Sequence, residues 1–339
     1  MIEGKCPNCG SILKVDNSKD AAICEFCGTP FIVEKAVSNY SFTADVINVY
    51  EAAPQDIVIR AGVLEKYNGA LTEVVIPDTV TVIGPAAFKD CLGLKKVIFP
   101  DGLKSIEQRA FSNCTQLESA SLPHALTKIG DGAFEMCASL SSVSIDSATI
   151  HAGAFRGCKN LTEVDFGSEK VEIGEYSFAG TSLNRIIVPA GSTVGAYAFQ
   201  KCRNLKNIVF DGNVKIYTNA FEEAPVSDIM IPDGSLINGE AFIRCIELER
   251  AEIGNNVKMR GDVFRGCTKL DTVTWLDGEN KIMSKGYEYL SEIFAGSAYY
   301  DKISSAREHW KLTLHCQYCG GEIKFFSKAC KNCGRIKDY

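Results

Sequence analysis

The sequence predicts a mainly β solenoid with a small metal-binding module at each end, and three observations lead to this prediction. A five-residue phrase recurs nine times through the middle of the chain. A short stretch of alternating apolar residues follows most copies of the phrase. Eight of the 15 cysteines lie in Cys-x-x-Cys pairs close to the two ends.

The recurring phrase reads Ala-Phe-x-x-Cys or a close variant of it. Its copies occupy residues 87–91, 110–114, 133–137, 154–158, 177–181, 198–202, 220–224, 241–245 and 263–267. Successive phenylalanines of the phrase are 21 to 23 residues apart. A fixed period of this length is typical of a solenoid, in which each repeat can bury its apolar side only against its neighbours. The middle of the chain therefore predicts a stack, which more often binds a partner than catalyses a reaction.

The alternating stretch predicts one short β-strand per repeat. In Val74-Val75-Ile76 the first and third residues are expected to face the interior and the middle residue to face outward. Pro77 then ends the strand, because proline has no backbone N–H for the ladder. A second buried contact is expected four or five residues before each phenylalanine, at Ile83, Ile106, Ile129, Ile150, Ile173, Val194, Ile216, Ile237 and Met259. We expect the strands of successive repeats to align in one parallel sheet, with turns and little helix elsewhere.

The phrases Leu-x-x-Val-x-Ile-Pro and Ile-Gly-x-x-Ala-Phe-x-x-Cys resemble the repeat of the BspA-like leucine-rich repeat family of bacteria. The resemblance covers roughly residues 56–297, and the stretch from Asp56 to Gly69 resembles the capping coil with which the family begins. It implies a leucine-rich-repeat solenoid. Members of the family are often secreted or surface-bound adhesins.

Eight cysteines form two sets of paired Cys-x-x-Cys motifs. They are Cys6, Cys9, Cys24 and Cys27 in the first set and Cys316, Cys319, Cys330 and Cys333 in the second. Four thiolates at this spacing predict a tetrahedral zinc site, and both modules resemble the zinc-ribbon family. Since four protein ligands leave no position for water, we expect two structural zinc ions and no catalytic metal.

Seven further cysteines follow a repeat phenylalanine by three residues. They are Cys91, Cys114, Cys137, Cys158, Cys202, Cys245 and Cys267, and Thr181 and Ala224 take the same position in two other repeats. A position that accepts cysteine, threonine or alanine favours a small, weakly polar, buried side chain over a metal ligand or a nucleophile. We expect these thiols to form a buried and reduced column.

The sequence divides into five segments. They are residues 1–33 (zinc ribbon), 34–55 (connector), 56–297 (repeats), 298–311 (capping helix or linker) and 312–339 (zinc ribbon). A helix is predicted from Tyr299 to Lys311, where it would cover the open end of the stack. The repeat pattern breaks down between Trp275 and Ile293.

The sequence shows no targeting segment. Met1 leads directly into a cysteine motif without the apolar core of a signal peptide. No run of about 18 apolar residues, the length that spans a bilayer, occurs in the chain. We therefore expect a cytoplasmic protein with no membrane partner, whose cysteines stay reduced.

The net charge of −6 is distributed unevenly. Residues 301–339 carry eight basic and four acidic side chains, so the repeats are acidic and a poor surface for nucleic acid. The basic residues of the C-terminal module are Lys311, Lys324, Lys328, Lys331, Arg335 and Lys337. They leave two interpretations open, a weak site for nucleic acid and a set of charges that solubilises the module and offsets its thiolates.

No constellation of residues predicts catalysis. The four histidines His124, His151, His309 and His315 fall at unrelated repeat positions. No phosphate-binding loop and no recognisable order of nucleophile, base and acid is present. We therefore expect a non-enzymatic protein.

The outward residues of the predicted strands define a candidate face for a protein partner. They are Val75, Ile98, Ser121, Ser144, Asp165, Ile187, Val209, Met230, Glu252 and Thr274. Ile187, Val209 and Met230 place three apolar side chains on neighbouring coils about 5 Å apart, and such a patch often marks an interaction site. The candidate partner-binding residues are Val75, Ile98, Arg185, Ile187, Val209 and Met230. The alternatives for the apolar residues are that β-branched side chains simply suit strands, or that the connector or a terminal ribbon folds back over them.

These observations predict an interaction scaffold that binds a protein partner through its strands, with zinc ribbons as structural or auxiliary modules. One alternative is a nucleic-acid-associated regulatory protein that uses the basic C-terminal ribbon. A second alternative is a surface adhesin that is exported without a signal peptide.

Overall fold

The computed structural model describes residues 56–146, 148–276 and 287–312, together with four short strands nearer the N-terminus. These are β1 (Ile2–Lys5), β2 (Ile12–Val15), β3 (Ala21–Ile23) and β4 (Pro30–Ile32). Strand β1 pairs antiparallel with β2, and β3 pairs antiparallel with β4. The N-terminal segment thus contains two short hairpins.

The repeats are built from short strands, two in most coils. In chain order they are β5 (Ile57–Arg60), β6 (Val63–Tyr67), β7 (Glu73–Val75), β8 (Val82–Ile83), β9 (Lys96–Ile98), β10 (Ser105–Ile106), β11 (Ser119–Ser121), β12 (Lys128–Ile129), β13 (Ser142–Ser144), β14 (Thr149–Ile150), β15 (Glu163–Asp165), β16 (Glu172–Ile173), β17 (Arg185–Val188), β18 (Thr193–Val194), β19 (Asn207–Phe210), β20 (Lys215–Ile216), β21 (Asp228–Ile231), β22 (Leu236–Asn238), β23 (Arg250–Ile253), β24 (Lys258–Arg260) and β25 (Thr272–Trp275). We call the odd-numbered strands from β7 onward the front strands. The even-numbered strands from β6 onward, together with β5, are the rear strands.

The front strands are those that the alternating stretches predict. Their burial alternates residue by residue, as in β17, where Ile186 and Val188 are buried and Arg185 and Ile187 are exposed. The strands pair in parallel, but they form three separate sheets of five, two and three strands. The prediction of one continuous sheet is therefore wrong, because the ladder is interrupted between β15 and β17 and between β19 and β21.

The rear strands form a second sheet that the sequence did not predict as one. It contains 11 strands and is parallel except for the antiparallel pair β5–β6 at one end. The apolar residues predicted as second buried contacts each lie in a strand of this sheet, and all are buried, as Ile106 and Val194 are. Strands of two or three residues are too short to show alternation, so the sequence revealed the buried residue but not the strand.

The Ala-Phe phrase forms a turn that closes each coil. In most repeats the residues two before and two after the phenylalanine have positive φ, for example Arg109 (φ 54°) and Asn113 (φ 64°). Their N–H groups donate to the next coil, from Arg109 to the carbonyl of Asp131 at 2.9 Å and from Asn113 to that of Glu135 at 2.8 Å. These inter-coil hydrogen bonds hold conformations that residues other than glycine rarely adopt.

One aromatic ring per coil stacks along the axis of the solenoid. Consecutive phenylalanine rings have centroids 4.8 to 5.5 Å apart and lie within 13° of parallel. Tyr67 begins the stack, 4.9 Å from Phe88. Phe294 ends it, 5.3 Å from Phe264, although it lies outside the nine copies of the phrase. The buried rings give the stack its continuous apolar core.

The last coil is covered by two helices, α1 (Tyr287–Ile293) and α2 (Ala298–Leu312). Helix α2 lies where the sequence predicts one. Its residues Tyr299, Tyr300 and Ile303 pack against the hydrophobic core, so the final ring of the stack is not left open to solvent.

Candidate functional site

The outer face of the front strands is the surface that the sequence predicts for a partner. The predicted outward residue of each front strand is exposed, except Val75, which is partly exposed. The apolar members of this set, Ile98, Ile187, Val209 and Met230, have 37, 39, 38 and 49 % of their surface exposed. The prediction that these side chains face solvent is therefore confirmed for all four.

The structure brings only some of the predicted residues together. Ile187 and Val209 are register partners in β17 and β19, and Met230 lies on the next front strand. We call Ile187, Val209 and Met230 the apolar row. Ile98 lies on β9, several coils away from the apolar row. The outward residues of the front strands between them are polar or charged.

Both interruptions of the front sheets follow a shortened turn. In seven repeats the leucine that begins the next alternating stretch donates its N–H to the carbonyl of the cysteine three residues before it, as Leu161 does to Cys158 at 3.1 Å. The segments Thr181-Ser182-Leu183 and Ala224-Pro225-Val226 are one residue shorter, and this hydrogen bond is missing from both among the described residues. A shorter turn displaces the start of the following strand, so its N–H and C=O groups no longer meet those of the preceding strand.

The first interruption opens a cleft of about 550 Å³ between β15 and β17. We call it the front cleft; it is lined by residues 162–167, residues 184–187 and Asp211. Its exposed apolar lining comes from Ile187, since Val164 and Ile186, which also line it, are buried. Sequence reasoning missed this cleft, although the missing residue after Thr181 was a visible signal for it.

The thiol column occupies the interior of the turns. Six of its cysteines are buried, and each donates its thiol to the phenylalanine carbonyl of the preceding coil, with Sγ···O distances of 3.0 to 3.2 Å. Burial raises the pKa of the Cys137 thiol to about 12 and that of the Cys202 thiol to about 11. These thiols are therefore protonated donors rather than nucleophiles at neutral pH.

Cys91 differs from the other thiols because the column begins there. It is only partly buried, so the prediction that all seven would be buried is wrong for this residue. A hydrogen bond with the thiol of Cys114 lowers the pKa of Cys91. Thr181, which replaces cysteine in the column, donates its hydroxyl to the carbonyl of Phe178 at 2.9 Å and contacts the Cys202 thiol.

The eight cysteines predicted to bind zinc lie outside the described residues. In the sequence, Cys6 and Cys9 fall between the paired strands β1 and β2, and Cys24 and Cys27 fall between β3 and β4. Among the described residues, no group of three or more His, Cys, Asp or Glu side chains is placed to hold a metal ion. The basic C-terminal residues also lie outside the part whose side chains are described.

The front strands, the rear sheet and the stacked phenylalanine turns together define a leucine-rich-repeat solenoid protein. The family model of the BspA type leucine rich repeat region matches residues 62–181, 146–245 and 171–293, which together make up more than half of the chain. The chain therefore belongs to the BspA-type leucine-rich repeat family. No curated protein matches the chain significantly.

Solved structures with similar chains are themselves leucine-rich repeat proteins. One from Bacteroides ovatus is 26% identical, with a TM-score of 0.57 over 75% of this chain and 69% of that chain. A leucine rich cell surface protein from Faecalibacterium prausnitzii is 24% identical, with a TM-score of 0.40 over 65% of this chain and 86% of that chain. A leucine rich repeat protein from T. pallidum is 23% identical, with a TM-score of 0.38 over 65% of this chain and 91% of that chain. The Bacteroides ovatus structure shares the solenoid fold.

The two helices described for this chain are α1 and α2. Neither combines the length and the apolar composition that a membrane crossing requires.

Proposed function

We propose that this chain is a non-enzymatic scaffold whose front strands bind a protein partner. The observation that carries the proposal is the apolar row, where Ile187, Val209 and Met230 lie exposed on consecutive front strands. Five of the seven other outward positions hold serine, aspartate, glutamate or threonine, which suit a solvated sheet face, and the remaining two are Val75 and Ile98. A contiguous exposed apolar patch on a rigid surface is the usual character of an interaction site.

The test compares two matched double variants of the front strands. Ile187→Asp with Val209→Asp places two charges in the apolar row, and Ser121→Asp with Ser144→Asp places two charges at equivalent positions of β11 and β13. A partner captured from the native organism and identified by mass spectrometry is then purified and titrated against each variant. The first variant is expected to weaken binding at least about tenfold, and the second by less than about twofold.

The thermal unfolding of both variants serves as the control, because all four side chains are exposed and their replacement should leave the core intact. Equal loss of binding in both variants would mean that added charge, rather than the apolar row, is responsible. Unchanged binding in the Ile187/Val209 variant would rule out this face as the partner site.

The zinc ribbons serve as structural or auxiliary interaction modules at the two ends of the scaffold. The donor set fits zinc, since each module supplies four cysteines, which as thiolates are the ligands of closed tetrahedral sites. The hairpins β1–β2 and β3–β4 support this assignment, because each pairs the strands on either side of one Cys-x-x-Cys motif. Bound zinc would supply folding free energy to modules that are too small to hold a core of their own.

The protein acts in the cytoplasm. Its free thiols in the repeats and its eight paired cysteines support a reducing compartment, where thiolates are available to zinc. Fractionation of the native organism followed by immunoblotting tests this assignment. Recovery of the chain in the surface fraction would instead favour the adhesin alternative.

A further inference from the structure

The front cleft and the apolar row form one continuous surface. Ile187 belongs to both, since it lines the cleft and begins the row. The cleft also exposes a free edge of the sheet, because β15 and β17 do not pair and the N–H of Phe166 takes part in no described hydrogen bond. A partner that covers the apolar row therefore also covers the opening of the cleft.

The cleft carries more negative than positive charge, and its charged side chains form no ion pairs with one another. Glu163, Asp165 and Asp211 line it with only Arg185 as a basic residue, and none of these four forms an ion pair among the described residues. Within the cleft the carboxylate of Asp165 accepts a hydrogen bond only from the N–H of Gly167, at 2.9 Å.

Elsewhere on the solenoid, acidic side chains commonly meet a basic side chain one coil away. Glu107 contacts Lys128 at 2.7 Å, and Glu247 contacts Lys269 at 2.6 Å. On the front strands, Asp228 pairs with Arg250 of the next strand. Glu163 lacks such a partner because the shortened turn has displaced β17, whose first residue is Arg185, from β15.

We propose that the front cleft receives a lysine or arginine side chain from an extended segment of the partner protein, whose neighbouring aliphatic residues lie on the apolar row. This inference rests on the proposed function and names the chemistry of the partner. The aliphatic stem of the basic side chain packs against Ile187, and its charged end reaches the carboxylates of Glu163, Asp165 and Asp211. The charge of the cleft selects a basic segment and disfavours an acidic one.

The probe for this proposal is a displayed library of random peptides selected on the full chain. Peptides that carry lysine or arginine beside an aliphatic residue are expected to be enriched. One enriched peptide is then synthesised with its basic residue intact and with that residue replaced by glutamine, and both forms are titrated by calorimetry. The replacement is expected to weaken binding about tenfold or more.

Two variants of the protein test the site itself. Glu163→Gln with Asp165→Asn removes two charges while keeping the shape of the cleft. Thr181→Cys with an asparagine inserted between Ser182 and Leu183 restores the full-length turn and should pair β17 with β15. Each variant is expected to bind the enriched peptide about tenfold or more weakly than the unaltered protein does. The matched control, Ala224→Cys with an asparagine inserted between Pro225 and Val226, restores the other turn and should leave peptide affinity within about twofold.

Several results would overturn the proposal. One is the enrichment of peptides that contain no basic residue. Another is an unchanged affinity of the Glu163/Asp165 variant for the enriched peptide, which would count against the proposal even if the insertion variant failed to fold. Displacement of the peptide by spermidine at an equal concentration would show a site for small cations instead.

The purified natural partner separates this inference from the proposed function. If binding is lost in the Ile187/Val209 variant and unchanged in the Glu163/Asp165 variant, the front face binds the partner and the cleft inference is wrong. If neither variant loses binding, the proposed function itself is wrong.

Discussion

At the scale of single residues, the repeat phrase combines two different contributions to the core. The phenylalanine fills the interior and stacks on its neighbours, as Phe134 does on Phe111 at 5.1 Å and on Phe155 at 5.3 Å. The cysteine contributes little volume but donates a hydrogen bond to a buried carbonyl, as Cys137 does to Phe111 at 3.2 Å. The two residues should therefore differ strongly in what their truncation costs.

Phe134→Ala is expected to lower the free energy of unfolding by about 3–5 kcal/mol, because it leaves a cavity in the middle of the stack. Cys137→Ala is expected to cost less than about 1.5 kcal/mol, since the carbonyl of Phe111 keeps its hydrogen bond from the N–H of Cys114 at 3.1 Å. Chemical denaturation of both variants measures the difference. A cysteine variant more damaging than the phenylalanine variant would contradict this account of the core.

The buried thiols also predict a loss of stability at high pH. Their pKa in the unfolded chain is near the ordinary value of 9.0, and burial raises it to about 12 for Cys137 and about 11 for Cys202. The unfolded state therefore binds fewer protons above about pH 9, and stability falls as pH rises from there through the folded pKa, by up to about 1.4 kcal/mol per pH unit for each thiol.

Denaturation of the wild type at about pH 8 and about pH 10.5 should show this decrease. The double variant Cys137→Ala with Cys202→Ala should show a smaller decrease, because two of the titrating groups are absent. Equal decreases in both proteins would mean that other groups, such as lysine and tyrosine, cause the alkaline loss.

At the scale of the elements, the residue that follows the buried residue of a rear strand lies close to the preceding coil, and it is not always small, since Glu107, His151 and Tyr217 hold this position in three repeats. In four repeats this residue is glycine, at Gly84, Gly130, Gly174 and Gly195. A Cβ added at Gly195 would lie 2.7 Å from the carbonyl oxygen of Ile173 in the preceding coil, and the obstructing atoms belong to the backbone. A side chain there would push two hydrogen-bonded coils apart.

Gly195→Ala is therefore expected to destabilise the protein by about 1–3 kcal/mol, the usual cost of overpacking. Gly93→Ala is the matched control, because a Cβ at that position meets nothing within 4 Å and should change stability by less than about 0.5 kcal/mol. Thermal unfolding distinguishes the two. Similar losses in both variants would show that chain flexibility, and not contact between coils, determines the effect.

The strands also show which features an alternating sequence pattern can predict and which it cannot. Alternation located the front strands and the exposed residues of the apolar row, because a period of two is a direct consequence of strand geometry. It could not reveal that β15 and β17 fail to pair, since pairing depends on the positions of two strands relative to each other. The rear strands from β8 onward escaped prediction because they are two or three residues long.

At the scale of the whole molecule, each coil depends on its neighbours. The aromatic stack runs without interruption from Tyr67 to Phe294, whereas the front sheets are divided twice. The rear sheet and the stacked turns thus keep the solenoid continuous where the front strands separate. The end modules differ from the coils, since their proposed stabilisation comes from metal rather than from stacking.

Elemental analysis of protein purified without chelator is expected to find about two zinc ions per chain. Cys24→Ser and Cys330→Ser should each lower the zinc content to about one ion, since each removes a ligand from a different module. Cys137→Ala, in the thiol column, is the matched control and should retain both ions. Full zinc content in either ligand variant, or disulfides in place of zinc, would contradict the zinc assignment.

The sequence by itself determined the repeat unit, its length, the buried phenylalanines and the outward residues of the front strands, and it predicts two sets of zinc-ligand cysteines. These features are local, because spacing along the chain decides which side of a strand a residue occupies and which cysteines can share a metal. Only the tertiary structure decided that the front strands form three sheets, that Phe294 completes the stack and that a cleft opens beside Ile187. These features depend on how neighbouring coils meet in space, where the loss of one residue from a turn is enough to prevent two strands from pairing.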